Sequence, residues 1–246
     1  MDVRQQDVER IVVEVLKKMM SDQPTAAATT VVAAGGCGCD CGDFGLFDRL
    51  EDAVQAAEVA QKKISTVAMR DKIIAAIRKA VGPEVLLRVD ANQGWDARQS
   101  VAIISAMEDQ GLDIELVEQP VRAHDIEGMK YITRREQTPI LADESVFSPA
   151  DAVEIIRQRA ADLINIKLMK TGGIHEALKI CDVAEIYGVE CMIGCMLESR
   201  LSVAAAAHLA AGRSVITRAD LDGPSLCSVD PYEGGPVFDE AAISMT

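Results

Sequence analysis

Four short apolar runs in this chain each end in a residue that can hold a cation or move a proton, and their spacing constrains the fold more than any other feature. Val85-Leu86-Leu87-Arg88-Val89 leads into Asp90, Leu116-Val117 into Glu118, Pro139-Ile140-Leu141-Ala142 into Asp143, and Leu163-Ile164-Asn165-Ile166 into Lys167. The intervals between these four end residues are 28, 25 and 24 positions. Each interval holds one strand, one helix and two turns, so the runs sample the same edge of a parallel sheet built from βα units. Three carboxylates and a lysine then share one rim.

The rest of the pattern extends that frame. Helices are expected near 97–110, 126–134, 149–159, 173–187 and 201–211, and strands near 85–89, 115–117, 140–141, 163–166, 190–193 and 219–222. The fold class is therefore α/β, a partial TIM-type barrel. From Gly82 to Thr246 there are 165 residues, room for about six units where a closed barrel has eight. In such barrels the chemistry sits at the C-terminal strand ends, where all four rim residues fall.

Three segments precede the barrel. Residues 1–20 read as an amphipathic helix, with Val8, Ile11, Val12, Val15, Leu16 and Met19 on one stripe. A helix of about that length is marginal alone in water, so the stripe wants a partner. Residues 21–45 form a flexible linker of Ala, Thr and Gly, too poor in large apolar groups to offset its ordering entropy. Cys37, Cys39 and Cys41 there are read either as an oxidisable tether or as a soft-metal site, although zinc sites usually use C-x2-C pairs. Residues 46–81 are helical again, with stripes at Leu50, Val54 and Ala57 and at Ile64, Ile73 and Ile77.

Charge and hydropathy exclude several function classes. The net charge is −14 with no Lys/Arg cluster, which argues against a nucleic-acid partner because phosphate binding needs a basic face. No apolar run reaches the roughly 18 residues of a membrane span. Seven cysteines, an odd number, and an amphipathic start rather than an apolar signal block point to a reducing, cytoplasmic setting.

Three convergent carboxylates with no His or Cys among them make a hard oxygen site suited to Mg2+. An ion there can hold a substrate carboxylate and stabilise the enediolate formed when an α-proton leaves. Lys167 can act as the base if the nearby cation and partial burial lower its pKa, and Lys170 is its rival, expected in the loop three residues on. His124, His175 and His208 read as surface or helix residues, and Cys191, Cys195 and Met196 as packing and pocket wall.

Two family resemblances sharpen this reading. The words RVDANQGW, VEQP, LADES, NIKLMKTGG and DLDGP, all within residues 82–245, resemble the barrel domain of the enolase superfamily in its muconate-lactonizing subgroup, and within it the dipeptide epimerases. That resemblance implies Asp90, Glu118 and Asp143 as Mg2+ ligands, Lys167 as one of two acid/base lysines, and Asp220 and Asp222 as the pair that holds a dipeptide ammonium. It also implies a second lysine in a K-x-K motif, which the sequence lacks: Lys62-Lys63 and Arg78-Lys79 have the wrong spacing. Residues 1–80 resemble the start of microcompartment CoA-acylating aldehyde dehydrogenases, whose first helix docks on shell proteins. The joint expectation is a chimera: an Ala-Glu-type dipeptide epimerase, impaired by its missing base and capping domain, or a non-catalytic cargo module, with an aldehyde dehydrogenase fragment ranked last. The setting is then the cytoplasm or the microcompartment lumen, and the open barrel makes a homo-oligomer an expectation to test.

Overall fold

The structure, a computed structural model, describes residues 67–229, 232–239 and 242–244. The expected tag helix, the Cys37/Cys39/Cys41 linker and most of the 46–81 segment lie outside them. The chain divides into two compact units, Met1–Glu84 and Val85–Thr246. Of the first, residues 67–84 are described, and they hold α1, Val67–Val81, whose last turn carries Arg78 and Lys79. The Arg78 guanidinium donates to the Gly82 carbonyl at 2.8 Å, and Gly82 itself turns the chain at φ +82°. That closes the helix from both sides of its C-terminus.

The second unit is a six-stranded parallel sheet in sequential order. Its strands are β1 Leu87–Asp90, β2 Ile114–Glu118, β3 Ile140–Ala142, β4 Leu163–Lys167, β5 Glu190–Gly194 and β6 Ile216–Asp220. Between them run α2 Ala97–Asp109, α3 Ile126–Thr133, α4 Pro149–Gln158, the short α5 Leu168–Thr171, α6 Ile174–Tyr187 and α7 Arg200–Gly212. A 3-10 turn, Gly223–Leu226, and an antiparallel pair, β7 Val237–Asp239 and β8 Ala242–Ser244, follow. The sheet curls as a partial TIM-type barrel. None of the described helices is long and apolar enough to cross a membrane.

Local chemistry sets the helix starts. Asp96 forms a capping box with Gln99 at α2, and Ser148 caps α4 just before Pro149. The helices bury Ile103, Ile104, Met107, Met129, Ile132, Ile155 and Ile180. Inside the curl, Leu116, Leu141, Leu163 and Met192 form one fully buried layer, a residue from each of four strands. Strand side chains alternate faces, so the residue two positions beyond Leu116, Leu141, Leu163 or Met192 stands over that layer at the C-terminal end. Those residues are Glu118, Asp143, Asn165 and Gly194.

Nearer the strand starts the interior is ionic. Glu115 of β2 accepts from Arg88 of β1 and from Arg218 of β6, each at 2.7 Å, and Arg218 also donates to Glu190 at 2.6 Å. Arg88 reaches the Ala219 carbonyl of β6 at 3.3 Å. The first and last strands are thus tied across the curl by side chains, although they do not pair with each other. One boundary differs from expectation. The sixth strand of the parallel sheet is Ile216–Asp220 rather than 219–222, because Pro224 and the Ser225 N–H bond to the Asp222 carbonyl turn the chain into the 3-10 segment.

Candidate active site

Asp90, Glu118, Asp143, Lys167 and Asp220 all fall at or just beyond the C-terminal ends of β1, β2, β3, β4 and β6, and Asp222 follows two residues on. The centre of the rim holds two hydrogen-bonded side-chain pairs. Lys167 donates to Asp143 Oδ2 at 2.6 Å, and Asn165 Nδ2 donates to Glu118 Oε1 at 2.7 Å. Asp143, Glu118 and Asn165 are buried, whereas Asp90 and Asp220 lie on the exposed lip. Asp90 is oriented by the Asn92 N–H at 2.7 Å.

Lys170 overturns its expected place in a loop. Residues 168–171 coil into one helical turn closed by Gly172 in the left-handed region, and this turn folds the side chain back beneath the rim. Its Nζ donates to Asp143 Oδ1, to the Asp143 carbonyl at 2.6 Å and to the Asn165 carbonyl at 3.1 Å. Sequence reasoning also passed over Gln119, fully buried at φ +33°. Its side-chain oxygen accepts from the Asp143 and Ser145 N–H groups, and its amide donates to Val121 O and Ser145 Oγ. The signal was available: a polar residue squeezed between Glu118 and Pro120 has to spend its amide on the neighbouring backbone.

The electrostatics are those of a crowded acidic site. Burial, with added repulsion from Asp143 and Asp90, pushes the Glu118 carboxyl up to about 8 against the opposing Asn165 bond. Burial likewise raises Glu144, whose Oε2 is enclosed without a partner, and Asp220, on the lip but with protein packed around its carboxyl, is raised by partial desolvation and by the Asp222 charge. Burial pulls Lys167 down, but the Asp143 bond and the surrounding carboxylates outweigh it and its pKa is raised. Burial lowers that of Lys170.

Gly194 of β5 leaves room for this cluster. A Cβ there would lie 2.7 Å from Asn165 Oδ1 and 2.9 Å from Lys167 Cε. Asn165 Oδ1 is itself a buried acceptor without a protein donor. His124, His175 and His208 are exposed, Cys191 is buried and Cys195 half-buried, and Met196 is exposed. A groove of about 370 Å³ between Gly111 and Thr138 lies at the opposite strand ends. Of the two acids that line it, Glu108 and Asp113, Glu108 is occupied accepting from the Gln137 and Thr138 N–H groups and the Thr138 hydroxyl.

A curled parallel α/β sheet with acids and a lysine on its C-terminal rim defines a partial (β/α)-barrel domain. A family model described as enolase C-terminal domain-like matches residues 46–244, and the chain belongs to that family. It is 52% identical over 197 residues to the L-Ala-D/L-Glu epimerase of Clostridium acetobutylicum, covering 78% of this chain and 55% of that protein. The crystal structure of a dipeptide epimerase from Enterococcus faecalis, complexed with Mg and the dipeptide L-Leu-L-Tyr, superposes with a TM-score of 0.67 at 44% identity. That match covers 78% of this chain and 56% of the other. The chain thus spans about half the length of these relatives.

A second relationship accompanies the first. The acetaldehyde dehydrogenase (acetylating) of Bilophila wadsworthia is 95% identical over 80 residues, 32% of this chain and 16% of that protein. This is the length of the stretch read as dehydrogenase-like, and it supports the expectation of a chimera.

Proposed function

We propose that the chain carries a Mg2+-dependent dipeptide-epimerase-type site that removes and returns a proton at the α-carbon of an Ala-Glu-type dipeptide from one face. The observation that carries this reading is the Asn165–Glu118 and Lys167–Asp143 pairing at adjacent strand ends of an enolase-family sheet. Asp90, Glu118 and Asp143 supply the hard oxygen donors for the ion. Their chemistry fits it: Glu118 is held protonated by burial and by its acidic neighbours, a deficit of positive charge that a divalent cation relieves. As they stand, no three acidic or ligating side chains among the described residues converge on one point, and Asp143 is engaged by lysines. A bound ion would supply positive charge to the substrate carboxylate as the α-proton leaves.

This chain's own residues do the rest. Lys167, once released from Asp143, presents its Nζ at the end of β4 to take or return the proton. Asp220 and Asp222 place two carboxylates where a dipeptide ammonium can be paired. Gly194 keeps the space beside Lys167 open. With no K-x-K motif to offer a base on the opposite face, exchange is one-sided and epimerization is weak or absent.

Solvent-deuterium incorporation at the α-carbon of Ala-Glu by the full chain in Mg2+ tests this. Exchange without inversion, abolished in Lys167→Ala, is expected. Full two-way epimerization, or exchange indifferent to Lys167→Ala, overturns the assignment.

A second reading rests on the 95% identity to an acetaldehyde dehydrogenase and on the apolar stripe of residues 1–20. In it the N-terminal helix is a docking tag for a shell protein, the chain resides in the cytoplasm or a microcompartment lumen, and residues 21–45 tether the tag to 46–81 and the 82–246 barrel. Co-purification with shell proteins that survives Val12→Asp and Val15→Asp would refute it.

A further inference from the structure

We propose that Lys170 is a positioning residue that fixes which oxygen of Asp143 faces the rim, and so decides that a cation competes for that oxygen with Lys167 alone. The inference rests on the metal reading above and deepens it. All three N–H donors of the Lys170 ammonium are committed: to Asp143 Oδ1, to the Asp143 carbonyl and to the Asn165 carbonyl. Two of these acceptors are backbone groups on different chain segments, one just beyond β3 and one in β4. The side chain therefore ties two neighbouring strand ends together as well as holding a carboxylate.

The two lysines are not equivalent. The Lys170 side chain is 5% exposed and that of Lys167 is 13% exposed, while Asp143 between them is 2% exposed. Lys170 comes from the turn beneath the rim, and its three bonds leave it no free donor. Lys167 stands at the strand end and holds only Asp143 Oδ2, at 2.6 Å. Gln119 fixes the same carboxylate's backbone by accepting from the Asp143 N–H at 2.9 Å. With backbone and Oδ1 both held, Oδ2 is the oxygen presented to the rim. Lys167 would be released if a cation took Oδ2, while Lys170 would stay in place, so metal loading and freeing of the proposed base would be one event.

The test is Mn2+ affinity of the full chain, measured by calorimetry and electron paramagnetic resonance, for wild type, Lys167→Met and Lys170→Met. Competition for Oδ2 predicts that Lys167→Met binds more tightly than wild type. Positioning predicts that Lys170→Met binds about tenfold more weakly, the usual scale for residues that orient a metal ligand. A role through charge alone predicts the opposite sign for Lys170→Met, because removing a nearby cation favours Mn2+ binding. Equal or tighter binding by folded Lys170→Met therefore overturns the proposal. Should wild type bind no Mn2+, the metal reading fails, and crystal structures of wild type and Lys170→Met decide the positioning role. It stands if the Asp143 carboxylate turns away from Lys167 without Lys170, and falls if the carboxylate stays.

Discussion

Replacing Glu115 by Gln tests whether the curl is held by charge or by packing alone. Glu115 offers one oxygen to Arg88 of β1 and the other to Arg218 of β6, both at 2.7 Å. Gln is nearly isosteric but neutral, and its amide end would point N–H groups at one guanidinium. A hydrogen bond to a charged group contributes roughly 1.5–3 kcal/mol, and a neutral one about 1, so losing one bond and neutralising the acceptor of the other gives about 2.5–4 kcal/mol at most. The arginine side chains are 34% and 21% exposed, and water can recover part of that loss, which brings the expected value to about 2 kcal/mol.

Urea unfolding followed by fluorescence of the single tryptophan, buried Trp95, measures it. The pH dependence gives an independent check. Burial alone would raise the Glu115 pKa, but the Arg88 and Arg218 bonds outweigh it and the folded-state value is lowered. Its stabilisation is present above the unfolded carboxylate pKa and is lost as pH falls through the lowered folded value. The wild-type and Glu115→Gln curves should therefore separate at neutral pH and converge in acid. A loss under about 0.5 kcal/mol, the range of an ordinary surface pair, would refute the claim that this network ties the first strand to the last.

Two further outcomes follow from the rim. Gly194→Ala forces a Cβ to within 2.7 Å of Asn165 Oδ1 and 2.9 Å of Lys167 Cε, and should cost about 1–3 kcal/mol in the same assay while displacing Lys167; wild-type stability would show that the strands move apart freely. Glu118, pushed up to about 8 from 4.5, keeps its proton in the folded state over that window while the unfolded chain has lost it. Metal-free wild type should therefore lose stability as pH rises from 4.5 to 8, and Glu118→Gln should not, leaving the variant the more stable at pH 8; parallel urea midpoints for the two proteins between pH 5 and 8 would refute this.

The repeating spacing of apolar runs was enough to read a six-strand parallel sheet and to place Asp90, Glu118, Asp143 and Lys167 at strand ends, because strand and helix periodicities are local properties of the chain. Element boundaries followed within a few residues wherever a cap was visible, as at Asp96 and Ser148, and slipped where a turn decided them, as at β6. Lys170 was misplaced because one helical turn, closed by Gly172, carries it back beneath Asp143, and spacing on a strand does not foretell that fold-back. Glu115, Arg88 and Arg218 carried no signal at all. They lie more than a hundred positions apart at the extremes and meet because the sheet curls, a geometry that exists only once all six strands have packed. Sequence by itself determined the kinds of groups on the rim and their order around it. Tertiary structure decided which oxygen each lysine holds, since that depends on distances between strands that no local pattern encodes.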